Sequence, residues 1–400
     1  MKIGRHCPIC GNYQPELLQE MEFAQPACAI LPSVYRIVVC SGCGFVYDDV
    51  DVGAEVFLKY YAASGKYVQR GIGGSGDISK IDSIRYNGIV QFIESVVKRK
   101  DVQIADVGCG KGGLLRVFTE RGYHGVHGFE PSSACVEIMK QEFGIPATCA
   151  GITDLRDCDS KFDVVVVSNV FEHLFTVHDA IEAIDHILND YGIVYIDVPD
   201  GSRYHECFYA PYYSFDMEHI NHFNVSSMKY LWAQHGFKCM RSEETIGTPV
   251  PGRHIPMCRF LFKKEEKSKS KIGESLVLGV SRFIEKSRIT EKRLARRLTL
   301  ENAPCYWGCG AYAKWLLSRF ASSTLGQPSV IVDAGAGVSY NETINGIQIV
   351  APSALDQSVD FAKTMIITSV LYEQQIFAGL KKLGWKGPIF SGSTGLRKTV

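Results

Sequence analysis

The sequence predicts an α/β protein in three parts: a small cysteine-stapled module, a larger sheet domain, and a second, smaller domain of similar build. Three observations predict it. Two C-x-x-C pairs, Cys7/Cys10 and Cys40/Cys43, stand near the N-terminus. A rhythm of short apolar strands and amphipathic helices starts at residue 102 around a glycine turn, Asp106-Val-Gly108-Cys-Gly110-Lys-Gly112. A second turn, Gly308-Cys-Gly310-Ala-Tyr-Ala313, opens the same rhythm again near residue 305. Such alternation implies parallel sheets covered by helices on both faces.

The cysteine pairs come first. A two-residue gap lets both sulfurs of a pair reach one metal, and two pairs close a tetrahedral set of thiolates. Glycine follows each pair directly, as Gly11 and Gly44, which suits the tight turn. Cys7, Cys10, Cys40 and Cys43 are therefore the expected ligands of a structural Zn2+ within residues 1–60. Four thiolates leave that ion no open position. The chain has fourteen cysteines in 400 residues, and the other ten are scattered. Free thiols in that number fit a reducing compartment, so a cytoplasmic location is expected. The start shows no apolar signal region, and no apolar run reaches the ~18 residues of a membrane helix. Net charge is zero, so no global field favours nucleic acid or an anionic membrane.

A polar and aromatic stretch with Tyr60, Tyr61 and Tyr67 follows, a candidate lid. The Gly/Ser-rich segment at 71–76 reads as a loop. Helical spacing marks 81–98. Strands are then expected at 102–107, 125–129, 146–149, 162–168 and 192–198, with helices at 112–121, 132–142 and 178–188. The main domain is expected over 61–265.

The first glycine turn lies between a strand and a helix. It allows a close backbone approach to a ligand with a helix N-terminus behind it. Glu130 ends the next strand, 24 positions after Asp106, where an acidic group can accept both ribose hydroxyls. Past the strand at 192–198 comes an aromatic loop with Asp216-Met-Glu218-His219-Ile-Asn221-His222-Phe223. Histidine titrates near neutrality and can take a proton from a sugar carbon or hydroxyl, and a neighbouring carboxylate can orient it. Tyrosine, histidine and phenylalanine also suit sugar binding. A core-packing loop with merely hydrogen-bonded histidines fits the same residues.

A charged stretch at 263–271 and a long helix at 273–300 make an expected linker, 266–302. The helix's basic residues, such as Arg282, Lys286 and Arg288, read as a solvated face. The last domain, 303–400, opens on the second glycine turn, and Asp333 stands 23 positions past Gly310. This is a fair dinucleotide-type fingerprint. Nucleotide holding, NAD binding, packing and dimerisation all remain open for it.

Asp106, two residues before Gly108 at the head of the first glycine pair, resembles motif I of class I methyltransferases that use S-adenosylmethionine (SAM). Phe162-Asp163-Val-Val-Val-Val-Ser-Asn169-Val-Phe-Glu172-His173-Leu resembles that family's fourth strand and following turn. The resemblance implies a Rossmann-like domain with SAM held by Asp106, Gly108, Gly110, Gly112, Glu130, Asp154 and Asn169, Asp154 meeting the adenine amine. The order of cysteine module, methyltransferase domain, linker and second Rossmann-like domain resembles the three-domain sugar C-methyltransferases. Those enzymes place a branch methyl on keto-deoxysugars carried by a nucleotide diphosphate. The family's Glu-His base matches Glu218 and His219, and its fourth-strand histidine matches His173. The chain departs from the family by carrying Asp216 where a tyrosine is usual, and by an altered second glycine turn. The implied partner is a nucleotide-sugar substrate, with no nucleic acid, no membrane and a homodimer left open. The alternatives are an O-methyltransferase on a glycan or sugar phosphate, or a non-catalytic nucleotide-sugar-binding protein.

Overall fold

A computed structural model describes residues 4–26, 29–63, 79–250, 252–265, 271–298, 301–320, 327–336, 343–355 and 360–394. The chain divides into two compact units. One comprises Met1–Glu16, Val38–Cys207 and Glu218–Val280; the other Leu17–Ile37, Phe208–Met217 and Ser281–Val400. Strands β1 (Pro15–Glu22) and β2 (Val34–Cys40) straddle that division in sequence.

The first unit is built on a seven-stranded sheet among the described residues. Its strands are β4 (Gln103–Val107), β5 (Gly125–Glu130), β6 (Ala147–Cys149), β7 (Phe162–Ser168), β8 (Leu188–Pro199), β10 (Phe237–Val250) and β11 (Arg253–Lys264). They lie in the order β10-β11-β8-β7-β4-β5-β6. The five strands expected from sequence run parallel, with Asp106 beside Gly128 and Val166. Val165, Val166 and Val167 are fully buried, as a strand covered on both faces requires.

Two further strands extend the sheet beyond the five expected ones. β11 pairs antiparallel with β8, and β10 antiparallel with β11. The hairpin is tight: Val250 faces Arg253, and Gly252 takes φ +74°, a conformation open to glycine. A hairpin needs no crossover helix, so it adds antiparallel strands at the sheet's edge.

Helices α2 (Lys80–Glu94), α3 (Gly113–Glu120), α4 (Ser133–Phe143) and α5 (Val177–Ile187) match the expected spans closely. On one side the core joins Tyr86, Ile89 and Ile93 of α2 to Leu115 and Phe118 of α3 and to Ile104, Val164 and Tyr195 of the sheet. Each buried aliphatic or aromatic side chain there contributes about 1.5–3 kcal/mol. α1 (Ala54–Ala63) precedes residues 64–78, so Tyr67 and the Gly/Ser segment lie outside the described residues.

β3 (Val46–Asp49) pairs antiparallel with β9 (Asn221–His222), placing Val46 opposite His222 and Tyr47 opposite Asn221. The segment after the second cysteine pair is thereby laced to the loop behind His219.

The second unit carries a six-stranded sheet among the described residues: β12 (Cys305–Trp307), β13 (Val330–Val332), β14 (Thr343–Ile344), β15 (Ile347–Val350), β16 (Met365–Ile367) and β17 (Ile389–Ser391). Apart from the antiparallel β14–β15 pair it is parallel, ordered β14-β15-β13-β12-β16-β17. A long helix (Ser275–Leu298) precedes it. No described helix is long and apolar enough to cross a membrane.

Candidate active site and metal centre

The first glycine turn leaves β4 at Asp106, and the chain turns through Gly108, Gly110 and Gly112 at φ +76°, +54° and +82°. A Cβ on Gly112 would collide with the Met139 side chain, and one on Gly108 would meet Val170 at 2.7 Å. Both positions therefore need glycine for conformation and for space. Glu130, at the end of β5, braces the turn. Its Oε2 accepts from the Gly110 N–H at 2.9 Å and its Oε1 from the Ser132 N–H at 3.0 Å. Burial pushes the Glu130 carboxyl up, against those two hydrogen bonds. Asp106 is 3% exposed, and its carboxyl is pushed up to about 7 by burial, with Glu130 and Asp197 adding to the rise and Arg85 opposing it.

Asn169 leaves β7 at φ +52°, and its N–H donates to Asp197 Oδ1 at 3.1 Å. Asp197 Oδ2 accepts from the Tyr195 hydroxyl at 3.0 Å. Asp154 is exposed, and its Oδ2 accepts from the Gly151 N–H at 2.7 Å within its own turn. Asp163 lies at the opposite edge of the sheet, where it accepts from the Gln103 N–H and the Asn189 amide, both at 2.8 Å. It braces the start of its strand.

A second group gathers at the carboxyl edge. Glu172 and His173 sit in a short turn after β7, with Glu172 buried. The Tyr60 hydroxyl donates to Glu218 Oε1 at 2.9 Å. His173 Nδ1 lies 2.9 Å from the Tyr61 hydroxyl and 3.0 Å from the Glu218 carbonyl. A carbonyl only accepts, so Nδ1 carries a proton, while Nε2 faces Glu172 Oε1 at 3.9 Å. The His173 and His219 rings meet edge-on at 4.7 Å, and one ligand atom each from Glu172, His173 and His219 lies within 4.8 Å of the others. The site thus joins His173, Glu218 and His219 with Tyr60 and Tyr61. Two imidazoles between carboxylates and phenols can accept, hold and pass a proton.

The four cysteines also converge. Cys7 and Cys43 sulfurs are 3.6 Å apart, and Cys10 and Cys40 sulfurs 3.4 Å. With Zn–S bonds of about 2.3 Å a tetrahedron has edges of about 3.8 Å, so the four sulfurs fit that ion. The Gly11 and Gly44 N–H groups each close a turn onto Cys7 and Cys40 carbonyls at 2.9 Å, at φ +73° and +77°.

Sequence reading missed Arg5, Asp197 and Asn221. Arg5 is buried, its guanidinium pulled down to about 10 by burial and supported by Asp48, and stays charged at neutral pH. Only its place beside Cys7 hinted at a role. In the second unit Asp333 repeats the bracing seen at Glu130: its Oδ2 accepts from the Cys309 N–H and its Oδ1 from the Gly335 N–H, both at 2.7 Å.

Residues 84–242 match a protein-family model described as a methyltransferase domain. The match takes in the glycine turn, Glu130, Asn169, His173, Glu218 and His219. Among similar solved structures is magnesium protoporphyrin IX methyltransferase from Synechocystis PCC 6803 with bound SAM. It is 14% identical, with 53% of this chain and 97% of that one covered and a TM-score of 0.38. Another is 1,6-didemethyltoxoflavin-N1-methyltransferase from Burkholderia thailandensis, 14% identical over 57% of this chain and 98% of that one, at a TM-score of 0.42. A SAM-dependent methyltransferase from Methanosarcina mazei is 16% identical over 44% of this chain and 97% of that one, at 0.38. No curated protein matches the sequence.

Proposed function

We propose that the chain is a class I, SAM-dependent methyltransferase, a reading supported by the methyltransferase-domain match of residues 84–242, that it methylates a carbon of a nucleotide-linked keto-sugar, and that His219 takes the proton. The observation that carries this reading is the group of His173, His219, Glu218, Tyr60 and Tyr61 at the carboxyl edge of the sheet. Ligands of parallel α/β sheets bind at that edge.

When bound, SAM supplies an electrophilic methyl group. Asp106, the three glycines and Glu130 cradle it, with Asp154 and Asn169 as further candidates at the rim. His219 would accept a proton from the carbon beside the sugar ketone, and the electron pair left behind would form the new carbon–carbon bond as the sulfonium's carbon–sulfur bond breaks and S-adenosylhomocysteine leaves. Tyr60 holds the Glu218 carboxylate, and His173 packs against the base. Much of the rate then comes from alignment of the two carbons. The cysteines hold a structural zinc ion and take no part in transfer.

Incubation with tritiated SAM and a panel of nucleotide diphosphate keto-deoxysugars tests this reading. Label on a ring carbon, lost in His219→Asn, is the expected result. The absence of transfer to every such sugar would overturn the substrate class.

One observation favours a second reading. Glu172, His173 and His219 make a carboxylate and two-imidazole set that a divalent cation could bridge. A metal there would activate a hydroxyl and direct O-methylation. Activity abolished by chelation with the four cysteines still loaded, and restored by Mn2+, would select it.

A further inference from the structure

Arg5 stands two residues before Cys7, yet its side chain ends among the loops that carry both site histidines. One guanidinium nitrogen donates to the Ile220 carbonyl at 3.1 Å. The other reaches the Leu174 carbonyl at 3.1 Å, the Phe175 carbonyl at 2.8 Å and Asn221 Oδ1 at 3.0 Å. Leu174 directly follows His173, and Ile220 directly follows His219. The Asn221 amide completes the lacing by donating to the Phe171 and Leu174 carbonyls at 2.8 and 2.7 Å. Arg5 is anchored in turn. Its own N–H donates to Asp49 Oδ1 at 2.7 Å, and its guanidinium lies 4.7 Å from the Phe175 ring centre.

We infer that Arg5 is a positioning residue that fixes His173 against His219 by gripping the backbone one residue beyond each. The inference rests on the reading of those histidines as the proton-handling pair. A guanidinium is a rigid plane of five donors, so two loops bound to it cannot shift independently. A lysine ammonium offers three donors on a flexible stem and sets no such plane. Burying a charge is expensive, and an apolar side chain could fill the same volume at less cost. What an apolar side chain cannot do is hold four acceptors from two loops at fixed spacing. The cysteine module thereby gains a function for the chemistry: it seats Arg5 beneath the site.

The test uses full-length protein labelled with 15N-histidine and saturated with S-adenosylhomocysteine (SAH), its signals assigned with His173→Gln and His219→Gln. In the wild type, His173 is expected as the Nδ1–H tautomer. In Arg5→Lys the His173 tautomer should become mixed and the His219 signals should move with it. SAH affinity should stay within about twofold, while kcat for methyl transfer falls at least about tenfold. Asn221→Ser removes the Asn221 amide's two donations and its bond from Arg5 while leaving Arg5 on its carbonyls, and should shift both histidines in the same direction by less; it decides the matter if Arg5→Lys fails to fold. Unchanged His173 and His219 signals in a folded, SAH-binding variant would overturn the inference. Shifted histidine signals with unchanged transfer would instead leave the positioning intact and remove His219 as the base.

Discussion

The N–H of Gly110 donates to Glu130 Oε2 at 2.9 Å, so the carboxylate expected to meet the ribose also holds the turn expected to cradle the cofactor. Glu130→Ala would lose that bond and the one from Ser132. Hydrogen bonds to charged groups contribute about 1.5–3 kcal/mol each. SAH affinity should fall by about ten- to a hundredfold. Calorimetric titration of wild type and variant measures it.

Asp106 gives the site a pH dependence of definite sign. Burial raises its carboxyl to about 7, above its ordinary value of 3.8. Between those values the folded chain binds more proton than the unfolded one, so this group's contribution to stability falls as pH rises through the window and levels off above 7. Cofactor binding is expected to run the other way, because a cationic SAH held by Asp106, as proposed, favours the ionised carboxylate. SAH affinity should weaken as pH falls below 7, by up to about tenfold per pH unit. In Asp106→Asn that slope should vanish. Titrations at several pH values from 5.5 to 8 read it.

Tyr60 donates to Glu218 at 2.9 Å, and phenylalanine in its place keeps the ring while removing the hydroxyl. Tyr60→Phe should lower kcat by about tenfold, near 1.4 kcal/mol, with SAH affinity unchanged. A matching loss of cofactor affinity would place Tyr60 in the cofactor site instead.

The cysteine module should hold one zinc per chain, as measured by metal analysis of purified protein. Cys40→Ser removes one of four thiolates and should release the ion. Apparent binding energies of structural zinc are about 10–16 kcal/mol in small peptides, so melting should shift strongly downward. Because β3 is laced to β9, histidine signals from the site should broaden in the same variant.

Much of this architecture was legible because it rests on local chemistry. The glycines of the first turn, the doubled cysteine pairs and the apolar strands at 102–107 and 162–168 announce themselves by spacing and composition. β10 was harder to read. It is an edge strand with mostly half-exposed and exposed residues, so it lacks the apolar run that marked the buried strands. Arg5 was illegible for another reason. It bonds three backbone carbonyls and one side chain more than 165 residues away, and a carbonyl leaves no mark on a sequence. Tyr60, Tyr61 and Tyr67 were read as a candidate lid from composition alone; the partners of the first two, Glu218 and His173, lie more than 100 residues away and left no mark on the sequence.

The central claim is that His219 removes a proton from carbon, and solvent deuterium exchange tests it most directly. A nucleotide-linked keto-sugar is incubated in deuterium oxide with the protein and SAH, which fills the cofactor site but carries no methyl group to transfer. Proton NMR should show deuterium entering the carbon beside the ketone with wild-type protein and no exchange above background with His219→Asn. Methyl transfer from SAM that proceeds with no such exchange, and at an undiminished rate in His219→Asn, would contradict the account.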